Sequence, residues 1–263
     1  MTGMNIEKDF MVKSAIPVQW NKRGYFNICD GGHRLAFFNC MNISMVPTII
    51  SLDEYTKWIN SDVLNDFLRY IQEMNIRILD APIPHPWFYG CEVIEEKFGK
   101  TILKCVLERL IEFDLYDKFS VLDTNPKEGY YLQHFARIST DVIRGIVSDK
   151  NQYDLLLYVN RLFYLEDHIS LVSMETEKKS KKKYDIVLIL KKICELTKAE
   201  QIKYIKWVST KTRKMIVWES GVEYEEEKKI ILQHSSFKKY ISLKRVLSQN
   251  IVREVGIFLK EIN

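Results

Sequence analysis

The run Tyr184-Asp-Ile-Val-Leu-Ile-Leu190 constrains this chain more than any other stretch. A single carboxylate interrupts an otherwise apolar segment of strand length. A strand with one wet face alternates polar and apolar residues, and this one does not, so both of its faces must be covered. That is the environment of a central parallel strand between two layers of helices. The flanking sequence agrees. Strand-like runs at Phe119–Asp123, Val142–Val147, Ile169–Ser173 and Lys214–Trp218 alternate with helical patterns at Thr101–Phe113, Gly129–Ile138, Gln152–Glu166 and Lys198–Ser209. A last pair, Ser242–Leu247 and Arg253–Lys260, closes the chain. Such alternation predicts an α/β fold with a doubly wound, mostly parallel sheet, Tyr184–Leu190 at its centre. The lysine run Lys178–Lys183 reads as a solvated loop.

The N-terminal part has a different rhythm. Ala15–Trp20 reads as a strand, Asn21–Gly24 as a hairpin-like turn and Tyr25–Cys29 as a second strand. Asp30-Gly-Gly-His-Arg34 breaks the pattern, Leu35–Met41 looks helical and Val46–Ile50 reads as a third strand. Ser51 and Glu54 have capping-box spacing for a helix running toward Ile59. Residues 61–77 carry a helical pattern with Leu64, Phe67, Leu68 and Ile71 on one face. The segment Ala81-Pro-Ile-Pro-His-Pro-Trp87 holds three of the six prolines. Proline fixes φ and removes a donor, so this segment predicts a connector. The expected organisation is an N-terminal region over 1–80, a connector over 81–98 and an α/β domain over 99–263.

Composition excludes several classes. With 39 basic and 35 acidic residues the net charge is +4, too balanced to argue for nucleic acid. The five cysteines are scattered, with no CxxC pair, so no zinc site or disulfide framework is expected and a reducing cytoplasmic compartment fits. Met1–Phe10 lacks the apolar core of a signal peptide, and no apolar run is long enough to span a membrane. The sequence is silent on oligomeric state.

Chemistry enters at Val121-Leu-Asp-Thr-Asn-Pro-Lys-Glu-Gly129. Strand, glycine-bearing turn and helix start form the layout of a nucleotide-binding βα turn. The order Val121-Leu-Asp123, Gly129, Val142–Ile146 and Tyr184–Val187 resembles class I S-adenosylmethionine-dependent methyltransferases. Pro84-His-Pro-Trp-Phe88, Tyr153–Asp167 and Trp218-Glu-Ser220 look like the corresponding segments of methyltransferases from sugar and lipopolysaccharide clusters. The resemblance covers about residues 83–263 and implies a Rossmann-like methyltransferase-type domain. It further implies that Asp123, Asn125, Gly129 and Asp149 line an S-adenosylmethionine site. The sequence departs from the family's Asp-x-Gly-x-x-x-Gly loop, with Asn125 at the first glycine and Pro126 after it. Val147 stands where the family carries the acid that binds the ribose hydroxyls, and Asp149 is the substitute two residues on. Lys191–Glu195 replaces a stretch ending in His.

Ile16–Trp20, Tyr25–Arg34 and Ile43–Ile50 resemble the ParB/sulfiredoxin superfamily, whose signature is a strand, a glycine turn with His and Arg, and a helix. The resemblance implies a small α+β region in which Asp30, Gly31, Gly32, His33 and Arg34 hold a nucleotide phosphate, with ATP or CTP as ligand. Loop amides at a helix start would face the anion and Arg34 would add a two-pronged donor. The alternative is that Asp30 caps the helix and His33 and Arg34 make structural bonds.

The leading expectation is a methyltransferase-like transferase acting on a small-molecule or glycan substrate, with no catalytic base identified and no metal implied. An ATP-dependent small-molecule or sugar kinase using Asp30–Arg34 is the alternative, and a non-catalytic binding or scaffold protein is the third. Other candidates are weaker. His85 reads as a packed linker residue and His134 as a surface residue. Glu219 either faces a substrate or is buried and paired.

Overall fold

The computed structural model describes residues 15–21, 25–41, 48–51, 62–79, 92–93, 103–104, 106–110, 115, 118–163, 165–221, 223–248 and 251–260. The expected helix after Ser51, most of the proline-rich connector with His85, and the N-terminal ten residues lie outside these.

The N-terminal part forms strands β1 (Ile16–Asn21), β2 (Tyr25–Ile28) and β3 (Thr48–Ile49) around helix α1 (Gly32–Cys40). β1 pairs antiparallel with β2 and parallel with β3. Helix α2 (Asp62–Glu73) and a short parallel pair, β4 (Ile78–Leu79) with β5 (Glu92–Val93), follow.

The rest of the chain builds one seven-stranded sheet. Its elements in sequence are β6 (Val121–Asp123), α3 (Tyr130–Ile138), β7 (Ile143–Val147), α4 (Lys150–Leu162), β8 (Ile169–Ser173), α5 (Met174–Lys179), β9 (Tyr184–Leu190), α6 (Lys198–Lys211), β10 (Thr212–Glu219), α7 (Tyr224–His234), β11 (Phe237–Ser248) and β12 (Ile251–Lys260). The spatial order is β11-β12-β10-β9-β6-β7-β8, so β9 lies in the middle, as the apolar run required. β6 to β10 are mutually parallel, and β12 runs antiparallel to both β10 and β11.

Every residue of β9 is buried, and its side chains split between two cores. Ile186, Leu188 and Leu190 join Val121, Ile143 and Val217 under α3 and α4, where Leu132, Phe135, Val159 and Leu162 meet them. Val187 and Ile189 join Leu122, Ile216 and Trp218 under α6 and α7, against Ile205, Val208 and Ile231. The first core continues past the expected connector, because Leu64, Phe67 and Ile71 of α2 belong to it. Tyr70 of that helix donates a hydrogen bond to the carbonyl of Asn151 in α4 (3.1 Å).

Two expectations need correction. Residues 178–183 are solvated as expected, yet Lys178 and Lys179 end a short helix, α5. The cause is Glu177, fully buried among these lysines. It takes an ion pair from Lys211 Nζ (3.1 Å), one from Arg144 Nη1 (3.0 Å) and a hydrogen bond from the Tyr184 hydroxyl (3.1 Å). A buried carboxylate so bound pins the segment to β7, β9 and α6. Helix α7 was hidden in the sequence by its Glu225–Lys229 charge run, which masks the few buried positions, Glu227, Ile230 and Ile231.

Candidate functional site

In an open parallel sheet a ligand crevice opens at the carboxyl ends of the strands where the winding reverses. Here that point lies between β6 and β9, since crossovers lead from β6 to β7 to β8 on one side and return to β9 on the other. Asp123 ends β6, opposite Leu188 of β9.

The turn after β6 is tightly bonded. Thr124 donates its backbone amide (3.2 Å) and its hydroxyl (2.8 Å) to the carbonyl of Leu188. Asn125 donates its amide to Asp123 Oδ1 (3.0 Å), and its side-chain Nδ2 reaches the carbonyl of Leu190 (3.2 Å). The turn then closes through the amide of Gly129 on the carbonyl of Pro126 (2.7 Å). Positive φ falls on Lys127 (50°) and Gly129 (82°), not on Asn125. Pro126 explains this, because a residue before proline is pushed to extended backbone. Gly129 is required, since a Cβ there would lie 2.7 Å from Leu156 Cδ2 of α4. Gly145 on β7 is closely packed, because a Cβ would lie 2.6 Å from Leu132 Cδ1 and 3.3 Å from Pro126 Cγ, and the leucine would have to shift.

Asp123 is fully buried, and its Oδ2 has no hydrogen-bond partner among the described residues. Burial pushes its carboxyl up to about 7, against the bond from the Asn125 amide, which lowers it. Val147 ends β7, buried. Asp149 caps α4: its Oδ1 accepts from the Gln152 amide (2.9 Å) and its Oδ2 from the Ser148 hydroxyl (2.8 Å). These bonds hold the exposed carboxyl below the usual range, so it is ionised at neutral pH.

On the other side of the crevice Lys191 follows β9 with φ of 55°. A non-glycine residue in that region carries strain, and such strain concentrates at functional sites. Glu219, at the end of β10, is buried between Lys191 Nζ (3.8 Å) and Arg253 Nη1 (3.4 Å), which decides for its paired reading. Cys194 donates its thiol to the carbonyl of Lys191 (2.9 Å), and burial with Glu227 and Glu195 nearby raises its pKa, so it is no thiolate nucleophile. Beyond it a hollow of about 440 Å³ opens between α6 and α7. His134 is half-buried against Tyr130 (4.6 Å between ring centroids) rather than on the surface, and burial lowers its pKa to about 4.

The structure thus brings Asp123, Asn125 and Gly129 together in one turn and leaves Asp149 on the neighbouring helix start. Sequence reasoning missed Lys127 and Lys191, since nothing in a lysine announces positive φ. At Asp30–Arg34 the side chains bond within the segment and to β1. Asp30 Oδ1 accepts from the Gly31 amide (2.6 Å), putting the protein's own carboxylate on the glycine turn. Arg34 donates to the carbonyl of Ala15 (2.7 Å) and pairs with Asp30 (3.8 Å), and its guanidinium lies against Gly31. Gly32 and His33 are exposed in the first turn of α1.

Solved structures share this architecture. Magnesium protoporphyrin IX methyltransferase from Synechocystis PCC 6803, solved with bound S-adenosylmethionine, matches with a TM-score of 0.54 at 11% identity over 79% of this chain and 95% of that one. The fold is that of S-adenosylmethionine-dependent methyltransferases. One such enzyme from Clostridium acetobutylicum matches with a TM-score of 0.51 at 11% identity over 61% of this chain and 91% of that one. WbdD, solved with a kinase inhibitor, matches with a TM-score of 0.56 at 15% identity over 74% of this chain. The chain spans only about half of the longer neighbours, 47% of both WbdD and EvdMO1. No protein-family model and no curated sequence matches the chain. Among the described residues no helix is long and apolar enough to cross a membrane.

The implied cofactor can be tested against the residues present. S-adenosylmethionine carries positive charge on its amino group and sulfonium. A buried carboxylate oxygen without a partner suits a cation, and leaving it unpaired is costly. An ionised, exposed Asp149 beside β7 suits hydroxyls. The donor set therefore fits the group, with fewer anchors than the family's loop and its strand-end acid provide.

Proposed function

We propose that the chain is a methyltransferase-type transferase that binds S-adenosylmethionine weakly at the β6–β9 crevice. The observation that carries this reading is Asp123 Oδ2, buried without a partner where the sheet's winding reverses. Asp123 and the turn to Gly129 would hold the charged methionine end, and Asp149 would accept from the ribose. When bound, the cofactor supplies a methyl group on a cationic sulfur. The chain's own part is to place an acceptor in line and keep water out. No described side chain stands as a base, and proximity with orientation suffices for such transfers. The hollow beside Cys194 offers the acceptor room at the same edge. A sugar or other small molecule as acceptor is motivated by the sequence resemblance around Pro84–Phe88.

Calorimetry with S-adenosylmethionine and S-adenosylhomocysteine on the full chain tests the reading. Loss of one charged acceptor at Val147 should weaken binding by about 1.5 to 3 kcal/mol, roughly tenfold to hundredfold. Micromolar or weaker binding that Asp123→Asn reduces supports the proposal. Sub-micromolar binding contradicts the weakening, and no binding at millimolar ligand rejects the proposal.

A second reading, a scaffold or binding protein without transfer chemistry, is favoured by one specific contact. Asn125 ties the turn after β6 to the carbonyl of Leu190 at the end of β9, with a side chain that the resembled family's glycine lacks. The kinase reading finds no such support, because Asp30 and Arg34 are spent on each other and on Ala15.

A further inference from the structure

On the face of the sheet away from α3 and α4, the six-residue α5 is too short to cover the flank of the fourteen-residue α6. A groove of about 320 Å³ remains between them, within the range of small-molecule sites. Its floor is apolar and aromatic, formed by Met174, Leu196, Tyr204 and Trp207. The Tyr204 and Trp207 rings lie 5.8 Å apart, tilted by 35°, with Tyr204 buried in the floor. Trp207 Nε1 is buried with no hydrogen-bond partner among the described residues, and Lys211 Nζ lies 6.0 Å from the centre of its ring.

The rim is cationic. Lys178, Lys192 and Lys203 line it against a single carboxylate, Glu200. That carboxylate accepts from the Thr197 amide (2.9 Å) and hydroxyl (2.6 Å) in a capping box and feels the Lys203 charge only weakly beside these bonds. Lys192 pairs with Glu195 (2.8 Å), whereas Lys178 and Lys203 make no ion pair among the described residues. The groove shares no lining residue with the turn Asp123–Gly129. It meets that turn at the Tyr204 hydroxyl, which donates to Thr124 Oγ1 (2.6 Å) and lies near the Asp123 carboxyl.

We infer that this groove binds a small organic anion bearing a planar ring. The ring lies against Tyr204 and Trp207, and Lys178 and Lys203 hold its phosphate or carboxylate. An uncharged ring or a bare anion meets only half of the surface and binds less tightly.

The test uses the full chain, calorimetry and tryptophan fluorescence. The probes are adenosine monophosphate, with adenosine and inorganic phosphate as its separated halves, and 2-naphthoate, with naphthalene-2-methanol and acetate as its own. At least one ring-bearing anion should bind at sub-millimolar concentration, and each half roughly tenfold or more weaker. Binding of either probe alone supports the inference. The double variant Lys178→Glu, Lys203→Glu should weaken binding roughly tenfold per lysine. It should leave the melting temperature and any S-adenosylhomocysteine binding unchanged. Should charge reversal impair folding, Lys178→Gln with Lys203→Gln gives the same readout with a smaller loss. Absence of binding by both probes at millimolar concentration overturns the inference. So does binding that survives both double variants, or that S-adenosylhomocysteine displaces, which would put the probe in the crevice.

Discussion

Replacing Asp123 by Asn should stabilise the protein at alkaline pH and have little effect in acid. Asn keeps the acceptor for the Asn125 amide and removes only the ionisation. The ordinary carboxyl value is 3.8, and burial takes Asp123 to about 7. At 1.36 kcal/mol per pH unit, that gap makes the buried carboxylate cost the fold about 4 kcal/mol once ionised, an upper figure because buried sites relax. The sign follows from linkage. The folded value lies above the unfolded one, so Asp123's favourable contribution is complete below pH 3.8, falls as pH rises and is lost above about 7. Urea denaturation of both proteins from pH 5 to pH 8.5, followed by tryptophan fluorescence, isolates this group because all others cancel in the difference. The variant's advantage should grow by about 2 to 4 kcal/mol across that window. A difference that stays flat with pH, or a variant less stable at pH 8, would refute the burial argument and with it the claim that Oδ2 lacks a partner.

If a ligand cation pairs with Asp123, S-adenosylmethionine binding at pH 7 should release a fraction of a proton, read as a binding enthalpy that changes with the buffer's ionisation enthalpy. Val147→Asp should tighten S-adenosylmethionine binding by roughly tenfold or more if the ribose anchor is what is missing, measured by calorimetry. Lys211→Met leaves Glu177 buried with only Arg144 and the Tyr184 hydroxyl of its described partners and should cost about 3 to 5 kcal/mol in urea denaturation. Arg34→Ala should leave the melting response to ATP and CTP unaltered, because the guanidinium is committed to Ala15 and Asp30; a lost nucleotide shift would restore the phosphate-site reading.

The sheet was legible because burial writes itself into composition. Tyr184–Leu190 cannot be solvated on either face, and Ile169–Ser173 emerged with the same bounds as expected. α6, opening at Lys198 behind a Thr197–Glu200 capping box, was readable for the same local reasons. Elements stabilised by one long-range contact were not readable. α5 exists because Glu177 finds Lys211 and Arg144, partners over thirty residues away in sequence whose pairing no local pattern encodes.

The site divides along the same line. Asp123 and Gly129 could be placed from sequence because the strand end and the turn are local features. What the turn does with Asn125 could not. Pro126 keeps Asn125 out of the positive-φ region that a glycine there could use, and positive φ falls on Lys127 instead. The Asn125 side chain was then free to find the carbonyl of Leu190, a bond that depends on where β9 ends. That contact is where the two functional readings part. If Asn125→Gly opens the crevice and strengthens S-adenosylmethionine binding in calorimetry, the side chain is a removable gate over a working seat. If the variant binds no better, Pro126, lying beside Gly145, has already set the turn's shape, and the methyltransferase fold serves this chain as a scaffold.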